Sequence, residues 1–214
     1  MEDIIIVGAG GFGREVGMLI DVINQYSSEK KKYNLLGFVD DGIKQHTKIH
    51  EHEVLGGIDY LMNNDKKCAL VLAIGNPSIK RELAAKLKNY HFPNIIHPNV
   101  SLNKKYVTIG TGCIICEGSI ITCDIAIGDF VIVNLACTIG HDTVIEDFCS
   151  FMPAVNISGE VTVKEAVYIG TGAKVINQLE IGKNAIIGAG AVVSKSLPEN
   201  CTAVGIPAKP IKFN

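Results

Sequence analysis

His141 is followed directly by Asp142, and no other histidine lies between residues 109 and 193. An imidazole titrates near neutral pH, and a carboxylate beside it holds the ring and favours the protonated form. Such a pair has the makings of a general base for a group that must lose a proton before it attacks. Adjacency alone does not bring the carboxylate to the ring, and a solvated surface histidine is the remaining alternative. The second chemical feature is Gly8-Ala9-Gly10-Gly11-Phe12-Gly13, which fits G-x-G-x-x-G. Backbone N–H groups at a helix start beyond such a loop can receive an anion.

The elements around that loop fit its use. The apolar run 4–7 precedes it as a buried strand, and Val16, Leu19, Ile20 and Ile23 follow at helical spacing. A strand over 35–39 ends in Asp40-Asp41, where an acidic residue would bind a ribose hydroxyl. A third strand over 69–74 ends at Gly75-Asn76, Pro77-Ser78 opens another helix, and 94–96 reads as a short last strand. Residues 1–96 thus form a small Rossmann-like α/β domain with a parallel sheet. Its ligand belongs at the C-terminal strand ends, where the glycine loop, Asp40-Asp41 and Gly75 fall. That convergence favours a nucleotide. The domain is half the usual dinucleotide-binding size, so a full NAD site is disfavoured. Three strand-end turns without a ligand are the alternative. His46, His50 and His52 lie in a charged stretch, 42–53, that reads as a solvated loop rather than a metal cluster.

His141 owes its position to a different pattern. Stepping by six from Ile109 to Val193 meets fifteen apolar residues, all aliphatic except Phe151. Four residues after each comes a small or apolar side chain, and one residue after each glycine is frequent, as at Gly110, Gly128, Gly140 and Gly170. This is the hexapeptide repeat of a parallel β-helix. Three hexads close a triangular coil, so fifteen make five coils, a prism about 24 Å tall at roughly 4.8 Å per strand. The glycines are expected to ease the bends. Counted from Ile139, His141 falls on a corner outside the prism.

Composition narrows the class. Net charge is −2 with both signs mixed, so neither a nucleic-acid surface nor a polybasic membrane surface is implied. No apolar run reaches membrane-spanning length, and no signal peptide is expected before the first strand. Seven cysteines suit a reducing, cytoplasmic compartment. Cys113, Cys137 and Cys149 fall at inward positions. Cys113 and Cys116 form a C-x-x-C with no second pair at zinc spacing, so no metal is expected. A covalent acyl-cysteine route is disfavoured, because Cys116 and Cys123 point outward without a histidine near them in sequence.

Taken together, these motifs resemble a family. The α/β domain with its glycine loop, Ala73-Ile74-Gly75-Asn76, Ile96-His97-Pro98, the His141-Asp142 pair in the repeat and Gly205-Ile206-Pro207-Ala208-Lys209 span the whole chain. The chain resembles the bacterial hexapeptide-repeat sugar acyltransferases, which include sialic-acid O-acetyltransferases and N-acetyltransferases of UDP- or dTDP-linked 4-amino-sugars. The resemblance implies a homotrimer of left-handed β-helices, 97–214 in each chain, with active sites between subunits. It implies His141 as catalytic base, with Asp142 the acid that raises its basicity. It places Gly10, Gly11, Phe12, Asp40, Asp41 and Gly75 around a nucleotide-sugar, and Gly159, Thr171 and Ala189 along an acetyl-CoA groove. Phe12 and Ser150 stand where the best-known UDP-sugar members have histidines, and Ser150 would then face the thioester. The expected activity is acetyl-CoA-dependent N-acetylation of a UDP- or dTDP-linked 4-amino-4,6-dideoxy sugar for surface glycan synthesis. A sugar O-acetyltransferase and a non-catalytic β-helix scaffold are the alternatives.

Overall fold

Four consecutive apolar residues, 4–7, need cover on both faces, and they find it at the centre of a parallel sheet. The computed structural model describes residues 1–27, 31–62 and 68–213. Met1–Gly75 with Ile79–Pro98 forms one compact unit; Asn76–Ser78 with the chain from Asn99 onward forms another.

In the first unit, β1 (Glu2–Val7) leads through the glycine loop to α1 (Gly11–Tyr26) and β2 (Tyr33–Val39). A hairpin, β3 (Lys48–Ile49) and β4 (His52–Gly56), precedes α2 (Ile58–Met62), β5 (Ala69–Leu72) and α3 (Pro77–Lys86). The sheet order is β3-β4-β2-β1-β5, parallel except for the β3–β4 pair. Ile4, Ile5 and Ile6 are fully buried, each worth about 1.5–3 kcal/mol relative to exposure. α1 lays Val16, Leu19, Ile20 and Ile23 into the core. Gly8 has φ +104°, and a Cβ there would meet the Ala73 carbonyl oxygen at 2.8 Å, so only glycine serves.

Two expectations need correction here. The stretch 42–53 is not simply a loop: it contains β3 and the start of β4, with His52 inside β4. Ile49 is the apolar residue it buries, with Val54 just beyond it, too few to show as alternation. β6 (Ile95–Ile96) is extended but is not a member of the five-stranded sheet.

The second unit contains fifteen short strands among the described residues, β7 (Val107–Ile109) through β21 (Val192–Val193). Each pairs in parallel with the strand eighteen residues away, as Ile132 does with Ile114 and Ser150. The result is a β-solenoid with three sheet faces. The inward residues are buried from Ile115 to Val193, with Ile109 half-buried at the open end. At the position four residues on, polar groups cap backbone carbonyls of the next coil: Ser119 Oγ donates to Asn134 O at 2.9 Å and Cys113 Sγ to Gly128 O at 3.1 Å. That accounts for Cys113, Cys137 and Cys149 inside the prism, and none of the seven cysteines forms a disulfide.

The frequent glycines do not supply the bend. The left-handed residue is the third after each inward one, from Gly112 through Asp124, Asp142 and Glu160 to Gly190, and most of these are not glycine. Gly140 sits elsewhere for another reason: a Cβ there would come within 2.7 Å of Gly159 N and Ser158 C on the next coil. These glycines permit close stacking of coils. Past β21, β22 (Cys201–Gly205) adds to one face and turns back as β23 (Ala208–Phe213), a hairpin carrying the Gly205–Pro207 segment. No helix among the described residues is long and apolar enough to cross a membrane.

Candidate active site

His141 stands on the bend between Thr138–Ile139 and Val144–Ile145. The bend is pinned at both edges: Asp142 N–H donates to Cys123 O at 3.2 Å, and His141 O accepts from Glu160 N–H at 2.8 Å. Thr143, wholly buried behind them, bonds Ser158 O at 3.3 Å. Asp142 has φ +56°, a conformation that aspartate tolerates better than most residues. From there its Oδ2 lies 2.7 Å from His141 Nδ1. Both side chains are more than half exposed, 57% and 58%. With Nδ1–H donated to the carboxylate, Nε2 carries the lone pair, the tautomer a general base requires.

The eighteen-residue coil stacks Cys123, His141 and Gly159 along one corner. Sequence adjacency hid this neighbourhood; the coil length would have revealed it. Cys123 is the exposed thiol of the seven, so an exposed thiol stands on the coil next to His141. Partial desolvation, followed by the charges of Asp124 and Asp142, pushes that thiol up and keeps it protonated. Gly159 lies directly under the His141 ring. Thr171 and Ala189 stack on a different corner, joined by the bond from Gly190 N–H to Thr171 O at 2.8 Å. Ser150 joins neither group. Its side chain is fully buried, so it offers no hydroxyl to a thioester.

In the first unit, the three strand ends do converge. Gly8 N–H donates to Val39 O and Ala73 N–H to Val7 O, both at 2.8 Å, which sets the glycine loop between the ends of β2 and β5. Asp40 and Asp41 have structural tasks that sequence reading missed. Asp40 Oδ2 accepts from Ala9 N–H and Oδ1 from Gly42 N–H, both at 2.8 Å, bracing the loop. Asp41 Oδ1 accepts from Ile58 N–H at 2.7 Å and caps α2. Gly10 and Gly11 are exposed at the start of α1, with no side chain capping it, and Phe12 and Gly75 are half-buried. A cavity of about 740 Å³ flanks α1, but of these six residues only Gly11 lines it. His50 and His52 line that cavity; His46 pairs instead with Glu53 at 3.4 Å. No group of three or more His, Cys, Asp or Glu among the described residues is arranged as metal ligands.

Residues 3–87 match the PglD N-terminal domain model, and residues 160–195 the bacterial transferase hexapeptide model. A GDP-perosamine N-acetyltransferase of Escherichia coli O157:H7 is 35% identical over 97% of this chain and 95% of its own length. The chain belongs to the hexapeptide-repeat sugar acetyltransferases. Two solved structures are similar to it over nearly the whole chain. WeeI from Acinetobacter baumannii AYE is 33% identical, covering 99% of this chain and 100% of its own, with a TM-score of 0.86. PerB from Caulobacter crescentus, in complex with CoA and GDP-perosamine, is 28% identical, covering 99% and 98%, with a TM-score of 0.88. An exposed imidazole held by a carboxylate is chemically able to take a proton from an acceptor.

Proposed function

We propose that this acyltransferase is an acetyl-CoA-dependent N-acetyltransferase whose acceptor is the amine of a nucleotide-linked 4-amino-4,6-dideoxy sugar. The observation that carries the reading is the His141–Asp142 pair, Nδ1 to Oδ2 2.7 Å, in a chain with whole-length likeness to a nucleotide-sugar N-acetyltransferase. The sugar ammonium first gives up one proton to solvent, and the neutral amine attacks the thioester carbonyl. His141 Nε2 accepts the proton released as the C–N bond forms. The oxyanion of the tetrahedral intermediate then collapses, the C–S bond breaks, and the imidazolium returns its proton to the CoA thiolate. Asp142 holds the ring and balances its transient charge. Transfer is direct, with no metal and no acyl-enzyme.

Gly10, Gly11, Phe12, Asp40, Asp41 and Gly75 are proposed to hold the nucleotide-sugar. The resemblance in motifs suggested UDP or dTDP. Phe12 replaces the histidine of UDP-sugar members, and the whole-length relative is named for a GDP-linked sugar. A GDP-linked amino-sugar is therefore placed first. The proposed acetyl-CoA residues lie on two corners of one chain, Gly159 on one and Thr171 with Ala189 on another. A groove formed where corners of two copies meet would use both, which supports the homotrimer. The enzyme would act in the cytoplasm, where acetyl-CoA is made, on a precursor of surface glycan.

Acetyl-CoA and a panel of GDP-, UDP- and dTDP-linked 4-amino-sugars, with product masses read by mass spectrometry, test the acceptor. Acetylation of one GDP-linked member above the others is expected. Acetylation of hydroxyl acceptors alone, such as sialic acid, would move the assignment to O-acetyl transfer, and no transfer to any acceptor would favour a scaffold.

A further inference from the structure

Across the fifteen hexads, the second residue after the inward position has a side chain everywhere except at Gly159. That bend is the one stacked on His141, the repeat's single histidine. A Cβ built on Gly159 would lie 2.5 Å from Cε1, 2.6 Å from Nε2 and 3.0 Å from Cδ2 of the His141 ring. Gly159 does not have a left-handed φ, so the backbone conformation does not call for glycine there. The absent side chain is space, and the imidazole fills it.

We propose that Gly159 is a positioning residue that seats the His141 ring across the edge of the next coil; this rests on His141 being the base. The ring is bounded by two contacts. The Asp142 carboxylate holds Nδ1 at 2.7 Å, and the backbone of Gly159 supports the face carrying Cε1 and Nε2. The main chain cannot give way easily, because His141 O is tied to Glu160 N–H at 2.8 Å and Asp142 N–H to Cys123 O. A methyl group at 159 therefore turns the ring about its side-chain torsions, away from Asp142. Misplacement of a catalytic group by about 1 Å costs on the order of 100-fold in rate.

This role differs from a contact along the acetyl-CoA groove, and kinetics separates the two. Gly159→Ala, His141→Ala and the double variant are compared for kcat and for KM of acetyl-CoA, with melting temperature and circular dichroism as controls for folding. In the wild-type background Gly159→Ala should lower kcat about 100-fold while KM for acetyl-CoA moves by less than about 3-fold. In the His141→Ala background the methyl has room, and its further cost should be under about 2-fold. A KM raised about tenfold with kcat intact, or an equal loss in both backgrounds, would overturn the proposal. Wild-type protein provides a check that needs neither variant nor acceptor: a nuclear Overhauser effect from the His141 ring protons to the Gly159 Hα protons. Its absence would overturn the seating even where acetyl transfer is observed. Failure of the acceptor assignment shows itself separately, as no turnover by the wild type.

Discussion

Asp142 bonds the residue directly before it, Oδ2 to His141 Nδ1 at 2.7 Å, from a backbone at φ +56°. Neighbouring side chains usually diverge; here the left-handed bend turns the carboxylate back onto the ring. The same conformation recurs at each described bend, so the solenoid's closure and the pair's geometry have one cause. Asp142→Asn keeps the shape and removes the charge that stabilises the imidazolium during transfer. It should lower kcat roughly 10²- to 10⁴-fold, the usual reach of acid–base assistance, with KM for acetyl-CoA little changed. Steady-state kinetics against the wild type checks this, and full activity in the variant would contradict it.

Cys123 stands one coil from His141 and is exposed, so the covalent route deserves a direct test. The thiol is held protonated by partial desolvation and by the Asp124 and Asp142 charges, which suppresses the thiolate a trans-acylation would need. Cys123→Ser should change kcat by less than about 3-fold, since no covalent step is routed through it. A loss of 100-fold or more, or an acetylated Cys123 peptide after acetyl-CoA treatment, would point to an acyl-enzyme.

The two kinds of solenoid glycine predict opposite sensitivities. Gly140→Ala drives a Cβ to 2.7 Å from Gly159 N and should destabilise by about 1–3 kcal/mol, as overpacking does. Gly172 has φ +71° but nothing within 4 Å of an added Cβ, and Ala154 and Ala166 already occupy the same position in other bends. Gly172→Ala should cost only about 1 kcal/mol, the low end of left-handed strain. Melting temperatures of the two variants rank them.

Burial holds the Cys137 thiol neutral, pushed up to about 11 from 9.0. A thiol raised in the folded state contributes stability that is complete below the unfolded value and is lost as pH climbs through the folded one. Denaturation midpoints of Cys137→Ala should therefore depend less on pH between 9 and 11 than those of the wild type. Identical slopes would contradict the assignment.

Much of the fold was legible because six-residue periodicity reports directly which side chains fill a narrow prism. The bends were not: glycine one residue after the inward position marks close coil stacking at Gly140, whereas the left-handed position is held by residues as unlike as Phe130, Ala136 and Glu160. Backbone bonds from each bend to the preceding coil, as Ala136 N–H to Glu117 O at 2.9 Å, hold them there. The β3–β4 hairpin stayed hidden since its charged residues show no period. At the site, the outward placement of His141 followed from counting hexads. Its neighbours Cys123 and Gly159 required counting coils as well. Ser150 was placed near the thioester by resemblance alone, and its side chain is fully buried.

The most direct test of His141 as base is thiol release from acetyl-CoA by wild type and His141→Ala with the best GDP-linked amino-sugar, at saturating concentrations. A loss of kcat of about 100-fold or more, with the variant folded and still binding CoA, is the predicted result. Equal turnover by the two proteins would contradict it and leave the pair at this bend a structural feature of the solenoid.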